Sequence, residues 1–196
     1  MNLINIFLNS LIKDNVVLTK FVGLNYIHRK VKERTYINLG LSLTITSLIS
    51  SIIVYILNLF LPSYLLPIVS ILAIILSVFI IKNVSKLSDK LCQIYNRNIN
   101  HILLNGACMA IVVFGTGFSF IEMIVYAIGS GLGYTLIIFL IATLQEQMED
   151  VPLYLKGNAI IFILVGLISI VVGRIWKNLD LILSFYFVLT YSSGKI

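Results

Sequence analysis

The feature that most constrains this chain is a long stretch without any charged residue, from Thr35 to Ile81. A membrane-spanning helix needs roughly 20 predominantly apolar residues, so this stretch is too long for one span and long enough for two. The segment LPSYLLP at 61–67 divides it, because proline disfavours helical backbone in the preceding residue and has no N–H to donate. We therefore predict two spans, about 37–60 and 66–82, joined by a short turn.

The composition of the whole chain indicates the same class of protein. Of its 196 residues, 59% are apolar and 11% are charged, whereas soluble domains carry about 25% charged residues. This charge is too sparse to coat a soluble domain, and the high hydrophobicity excludes intrinsic disorder. We predict an all-α integral membrane protein with one polytopic domain over 1–176. Its surroundings are the lipid bilayer, and the net charge of +6 does not indicate nucleic-acid binding.

Four further apolar segments bring the prediction to six spans. The first is interrupted by charged residues, and the apolar residues after the last span, 177–196, are too short to cross the membrane comfortably. We interpret this tail as an extension of the last helix or an interfacial segment, with a seventh span as the less favoured alternative. In chain order the predicted spans are about 3–27, 37–60, 66–82, 99–118, 123–144 and 158–176.

Basic residues cluster in two connecting stretches that lie on one side of the membrane if six spans are present. HRKVKER at 28–34 follows the first span, and the residues at 82–97 follow the third. Short loops rich in lysine and arginine remain in the cytoplasm. We therefore predict that both termini face outward, into the periplasm of a bacterial cell.

The first element that could carry chemistry is KDNVVLTKFVGLN at 13–25. Ionisable residues inside a membrane segment are costly and usually functional, and Gly23 suits a backbone that bends. The alternative is structural: Lys13 and Asp14 lie at the membrane surface, and Lys20 extends its ammonium group to water.

The second element is LLNGACMAI at 103–111, in which Asn105 and Gly106 could interrupt a helix just before Cys108. An unwound backbone inside a membrane must be buried in protein or line a cavity. Cys108 would then face a buried site, and a small apolar core residue is the alternative. His101 lies seven residues earlier on the same helix face, which leaves a Cys–His membrane peptidase as a further alternative.

The two elements occupy matching positions, because each opens one half of the predicted spans. Broken helices at corresponding positions of two halves are typical of inverted-repeat membrane proteins with a site at the bilayer midplane. We predict two inverted three-helix repeats with broken first and fourth helices. The glycines of IGSGLGY at 128–134 predict close helix–helix packing within the fifth span.

Three separated motifs resemble one family of membrane subunits. DNVVLTKFVGLN at 14–25 resembles the first-helix signature of the A subunit of the Rnf complex, and YAIGSGLGYTLIIFLIA at 126–142 is similar to its fifth helix. DVPLYLKGNAIIFILVGLIS at 150–169 resembles the segment that enters its last helix. The resemblance covers about 5–173. Its DVP and GNAI elements favour the A subunit over the paralogous E subunit and over the related subunits of the sodium-pumping quinone reductase.

The resemblance implies a membrane component of an ion-translocating electron-transport complex in the bacterial inner membrane. Such a complex moves electrons between ferredoxin and nicotinamide nucleotide and couples this transfer to ion movement. Its A subunit has six helices in an inverted repeat, pairs pseudo-symmetrically with the E subunit, and assembles with the D, G, B and C subunits. The A and E subunits each supply two cysteines to one shared 2Fe–2S cluster, which is completed by four thiolates.

This sequence departs from the family at one of the two cysteine positions. Cys108 matches the second cysteine, but the first falls at Asn25, and an amide is a poor substitute for a thiolate. Cys92 belongs to the basic stretch and is not expected to replace it. Three explanations remain open: a cluster held by three thiolates and one other ligand, loss of the cluster from a scaffold or transporter component, or a gene in decay.

Overall fold

The computed structural model of the chain describes residues 2–24, 33–85, 95, 98–147 and 158–193. Within these ranges the regular elements are helices. A π-helical turn at Asn9–Lys13 continues the first helix, and a 3₁₀ turn at Ser63–Leu65 precedes the fourth. The helices are α1 (Leu3–Leu8), α2 (Val16–Lys20), α3 (Glu33–Asn58), α4 (Leu66–Ser85), α5 (described at 98–103), α6 (Gly106–Gly115), α7 (Phe120–Gln147) and α8 (Asn158–Ser193).

Three of the described helices are long and apolar enough to cross a membrane. Their apolar parts are Thr35–Asn58, Ser63–Val84 and Phe120–Leu144, and shorter apolar helices cover Leu3–Lys13, Gly106–Gly115 and Ile160–Ile175. The prediction of an all-helical membrane protein is confirmed at this level. Helix α8 continues through the predicted tail as far as Ser193.

The fifth predicted span begins earlier than expected, because a capping box starts α7. Glu122, one residue before the predicted span at 123–144, lies in the first turn of this helix. Its carboxylate accepts hydrogen bonds from the hydroxyl and the backbone N–H of Ser119, at 2.9 and 3.2 Å. A glutamate three residues after a serine cap satisfies a backbone donor that would otherwise have no partner.

Helix α7 lies at the centre of the fold, where it contacts α1, the π-helical turn, α2, α3, α6 and α8. Its glycines permit this close approach, as predicted. A Cβ on Gly129 would lie 2.9 Å from the carbonyl oxygen of Phe7, and one on Gly133 would lie 2.6 Å from Nδ2 of Asn15. Small residues of this kind let helix backbones approach closely in membrane proteins.

The crossing of α3 and α7 is reciprocal. Gly40 of α3 faces Thr135 of α7, and Gly131 of α7 faces Thr44 of α3. Each threonine hydroxyl donates a 2.8 Å hydrogen bond to the carbonyl of the glycine four residues before it, Thr44 to Gly40 and Thr135 to Gly131. The same pattern, Gly-Leu-x-x-Thr, therefore supplies both sides of this contact.

Hydroxyl groups fix the other face of α3. Thr46 shares a 2.9 Å hydrogen bond with the phenol of Tyr95, and Ser50 shares a 2.7 Å bond with Ser77 of α4. All four side chains are buried. These bonds give the apolar bundle a defined register, because a buried polar group that loses its partner is costly.

Candidate functional site

The first break begins after the π-helical turn, includes the short helix α2, and ends at Gly23. The side chain of Asn15 caps α2, since its Oδ1 accepts a 3.0 Å bond from the N–H of Val17. Its Nδ2 donates a 2.9 Å bond back to the carbonyl of Leu11. Helix α2 ends after only five residues, where Phe21 and Gly23 adopt positive φ angles of 53° and 87°.

The second break lies between α5 and α6. Asn105 has an extended backbone (φ −90°, ψ 111°), and its Oδ1 accepts a 2.9 Å bond from the N–H of Ala107. Gly106 opens α6, and Cys108 is its third residue. The predicted interruption of the helix before Cys108 is confirmed, and its local cause is an asparagine cap of the same kind as Asn15.

The two breaks meet in the core. A Cβ on Gly23 would lie 2.7 Å from Cβ of Ala107 and 3.0 Å from Oδ1 of Asn105. Tyr134 of α7 joins them: its hydroxyl accepts a 2.6 Å bond from Nδ2 of Asn105 and donates a 3.2 Å bond to the carbonyl of Gly23. We call Gly23, Asn105 and Tyr134 the junction.

The sequence identified Gly23 and Asn105 as candidate residues of the two breaks, but Tyr134 was not predicted to contact them. Its signal was present, since Tyr134 is the one phenol in the glycine-rich segment at 128–134. A tyrosine hydroxyl inside an apolar core needs a hydrogen-bond partner, and Tyr134 is fully buried. Backbone carbonyl groups in an unwound segment have no helical N–H partner, so they are free to accept a hydrogen bond from such a hydroxyl.

Cys108 is a free thiol with no exposed surface. Its neighbours in α6, Ala107 and Ile111, are also fully buried. His101 lies in α5, on the other side of the break at Asn105. Among the described residues, no group of three or more histidine, cysteine, aspartate and glutamate side chains is arranged to hold a metal ion. Asn25 and Cys92 lie outside the described residues.

The charged residues of the first break point away from the junction. Lys13, Asp14 and Lys20 are exposed, and the ammonium of Lys20 lies 5.0 Å from the ring centroid of Phe114. Asp14 and Lys20 also line a cleft of about 300 Å³ beside the aromatic ring of Tyr126. The junction between the two elements is therefore buried and neutral, and the charged side chains of the first element lie on its exposed face.

Comparison with known proteins assigns a common ancestry to most of the chain. Residues 3–189 match the model of a family described as Rnf-Nqr subunit, membrane protein. The chain is 33% identical over 178 residues to the A subunit of the ion-translocating oxidoreductase complex of Thioalkalivibrio sulfidiphilus, covering 84% of this chain and 92% of the relative.

Two further relatives extend this similarity to other complexes. The A subunit of the proton-translocating ferredoxin:NAD(+) oxidoreductase complex of Clostridium ljungdahlii is 30% identical over 181 residues, which cover 85% of this chain and 92% of that protein. The E subunit of the Na(+)-translocating NADH-quinone reductase of Chlamydia trachomatis serovar L2 is 29% identical over 192 residues, or 86% and 79% of the two chains. The residues that match the family model include both helix breaks.

Proposed function

Because this chain belongs to the Rnf-Nqr family of membrane subunits, we propose that it is the A subunit of an Rnf-type complex that couples electron transfer to ion movement across the bacterial inner membrane. The observation that carries the proposal is the match over 3–189, together with relatives named for that subunit and covered over 92% of their length. The E subunit is the proposed pseudo-symmetric partner, and the D, G, B and C subunits complete the assembly.

The test is purification of the tagged chain from its native membranes. We expect other subunits of the complex to co-purify, and deletion of the chain to abolish ferredoxin-dependent reduction of NAD⁺ by the membranes. Two results together would overturn the proposal: the tagged chain purifies alone, and membranes of the deletion strain retain the electron-transfer activity.

We further propose that the chain folds as two inverted three-helix repeats. The support is the reciprocal α3–α7 crossing, in which Gly40 meets Thr135 while Gly131 meets Thr44. Contacts related by a two-fold axis have this form, since residue i of one partner meets residue j of the other and the converse. The asparagine caps at positions 15 and 105, one in each half, are consistent with the same relation.

Selective labelling tests the orientation that goes with six spans and cytoplasmic basic loops. In a Cys108→Ala background, a Ser63→Cys variant is expected to react with a membrane-impermeant maleimide from outside the cell. The native Cys92 is expected to react only after the membrane is permeabilised. Labelling of both positions from the same side would contradict the six-span arrangement.

The 2Fe–2S cluster implied by the resemblance needs thiolate ligands from this chain and from a partner subunit. The described residues offer the thiolate of Cys108, whose side chain is 0% exposed, while a cluster shared between subunits needs its ligands at their contact surface. The described residues therefore do not fit a shared cluster in this conformation, and we derive no electron-transfer step through one. By the resemblance, Asn25 and Cys108 occupy the family's two ligand positions.

A second candidate function follows from this disagreement: a component of the same complex that serves as a scaffold or transporter without ligating iron. Iron analysis and low-temperature EPR of the purified complex separate the two candidates. The scaffold role predicts no signal that is lost in Cys108→Ser. A 2Fe–2S signal in the wild type that disappears in this variant, while the subunits still co-purify, would establish a redox role for Cys108.

A further inference from the structure

A second cleft, of about 250 Å³, lies between the first broken segment and α8. Two lysines from distant parts of the chain, Lys13 and Lys177, line it together with the hydroxyl-bearing residues Thr19 and Ser169. Leu18 and Val172 supply apolar wall. The cleft thus combines positive charge, hydroxyl groups and hydrocarbon in one small volume.

The walls of this cleft are tied together by the fold. The hydroxyl of Ser169 in α8 donates a 3.0 Å hydrogen bond to the carbonyl of Leu18 in α2. Because α2 ends two residues later, at Lys20, this carbonyl lies in the last turn, where carbonyl groups have no partner within the helix. The break in the first span is therefore what allows α8 to dock and the cleft to form.

Charge in the cleft favours an anion. Its lining includes two ammonium groups and, among the described residues, no carboxylate. The nearest acid in the sequence, Asp14, lines the other cleft, beside Lys20. Each ammonium group has three donors, so either lysine can keep a protein partner and still bind an anion. Two positive charges that face the same small volume repel each other, and a negative group bound between them relieves this repulsion.

The position of the cleft along α8 corresponds to the membrane surface. The apolar part of this helix ends at Ile175, and polar residues flank that end at Arg174, Lys177, Asn178 and Asp180. Charged residues are costly in the hydrocarbon core and frequent at the interface. An occupant at this depth meets polar headgroups on one side and acyl chains on the other.

We propose that this cleft binds the phosphate of an acidic phospholipid from the surrounding bilayer, with Lys13 and Lys177 as its anchors. Basic pockets between membrane helices bind acidic headgroups on the cytoplasmic side of membranes. The proposed six-span orientation puts this cleft at the outer surface, where the phosphate of an acidic lipid meets the same combination of ammonium groups and apolar wall. The hydroxyl of Thr19 already donates a 2.8 Å hydrogen bond to the carbonyl of Asn15, so the two ammonium groups supply the donors to the phosphate. The acyl chains continue along the apolar wall at Val172. This inference does not depend on the redox or scaffold role of the chain.

Native mass spectrometry of the purified complex in detergent tests the proposal. Dioleoylphosphatidylglycerol is titrated in, with dioleoylphosphatidylcholine and inorganic phosphate as parallel probes. We expect retention of phosphatidylglycerol and about 30-fold weaker binding in the Lys13→Gln/Lys177→Gln double variant, as for the loss of two basic residues near an anionic surface. Arg174→Gln is the matched control: it removes an exposed charge one turn away that does not line the cleft.

Four results would overturn the inference. Equal loss of binding in Arg174→Gln would indicate diffuse attraction to the basic surface, and equal retention of phosphatidylcholine would remove the role of charge. Competition by millimolar inorganic phosphate would indicate a free-anion site. If lipid binds only after another protein of the complex has been removed, the cleft is a protein contact.

Discussion

The two helix breaks begin alike and end differently. Each starts with an asparagine whose Oδ1 caps the following helix through the N–H two residues later. The first break then ends in left-handed backbone at Phe21 and Gly23 and carries charges on its outer face. The second contains no charge and leads directly into the buried thiol of Cys108. The first break therefore combines a charged surface with a core contact, while the second is uncharged and buries Asn105 and Cys108 beside the exposed side chain of Leu104.

The largest expected difference between the breaks concerns their glycines. In Gly23→Ala the new Cβ would meet Tyr134 and Ala107 at 2.6 and 2.7 Å with φ at 87°, so we expect a loss of about 2–5 kcal/mol from left-handed strain and overpacking. In Gly106→Ala the Cβ has only ordinary contacts with Val22, from 3.7 Å, and a gain of up to about 1 kcal/mol is expected. Thermal unfolding in detergent measures both. Equal losses would show that the breaks do not differ in this way.

Removal of the Tyr134 hydroxyl is expected to remove the hydrogen-bonded link between the two breaks. Tyr134→Phe leaves the amide of Asn105 and the carbonyl of Gly23 without this partner, and we expect a loss of about 1–3 kcal/mol. Hydrogen exchange should rise at both breaks together. A rise at one break alone would mean that Tyr134 supports that segment and does not link the two.

The cap of the second break has two functions that substitution can separate. Asn105→Ala removes both the cap and the bond to Tyr134, whereas Asn105→Ser keeps a capping oxygen and loses only the donor. We expect about 0.5–2 kcal/mol for loss of the cap, so the alanine variant should unfold at a lower temperature than the serine variant. If both variants unfold together, the bond to Tyr134 supplies most of the stabilisation.

The charged outer face of the first break should contribute least to stability. Lys20→Met removes the contact with the Phe114 ring, which is worth about 0.5–1 kcal/mol at an exposed site. We expect a small decrease in unfolding temperature and no change in the electron-transfer activity of the complex. A large fall in activity with stability retained would instead assign Lys20 to the functional path.

Features that depend on local composition were predicted from the sequence, whereas contacts between residues far apart in the chain were not. Uncharged length predicted α3 and α4, and the glycines at 128–134 predicted the close packing of α7, because both depend on local composition. Asn105 and Gly106 located the second break for the same reason. The partnership of Tyr134 with Gly23 joins residues 111 positions apart, and no local pattern encodes such a pair. The predicted fifth span left Glu122 out because a charged residue is costly in a membrane segment, whereas here its carboxylate completes the cap at Ser119.

The length of α8 restricts how the protein can sit in a membrane. Its 36 residues extend about 54 Å at 1.5 Å per residue, against a hydrocarbon core of about 30 Å. Enclosing the whole helix would require a tilt of about 56°, beyond the range of up to about 40° that membrane helices adopt. In the six-span arrangement proposed above, one end of α8 therefore projects beyond the hydrocarbon core.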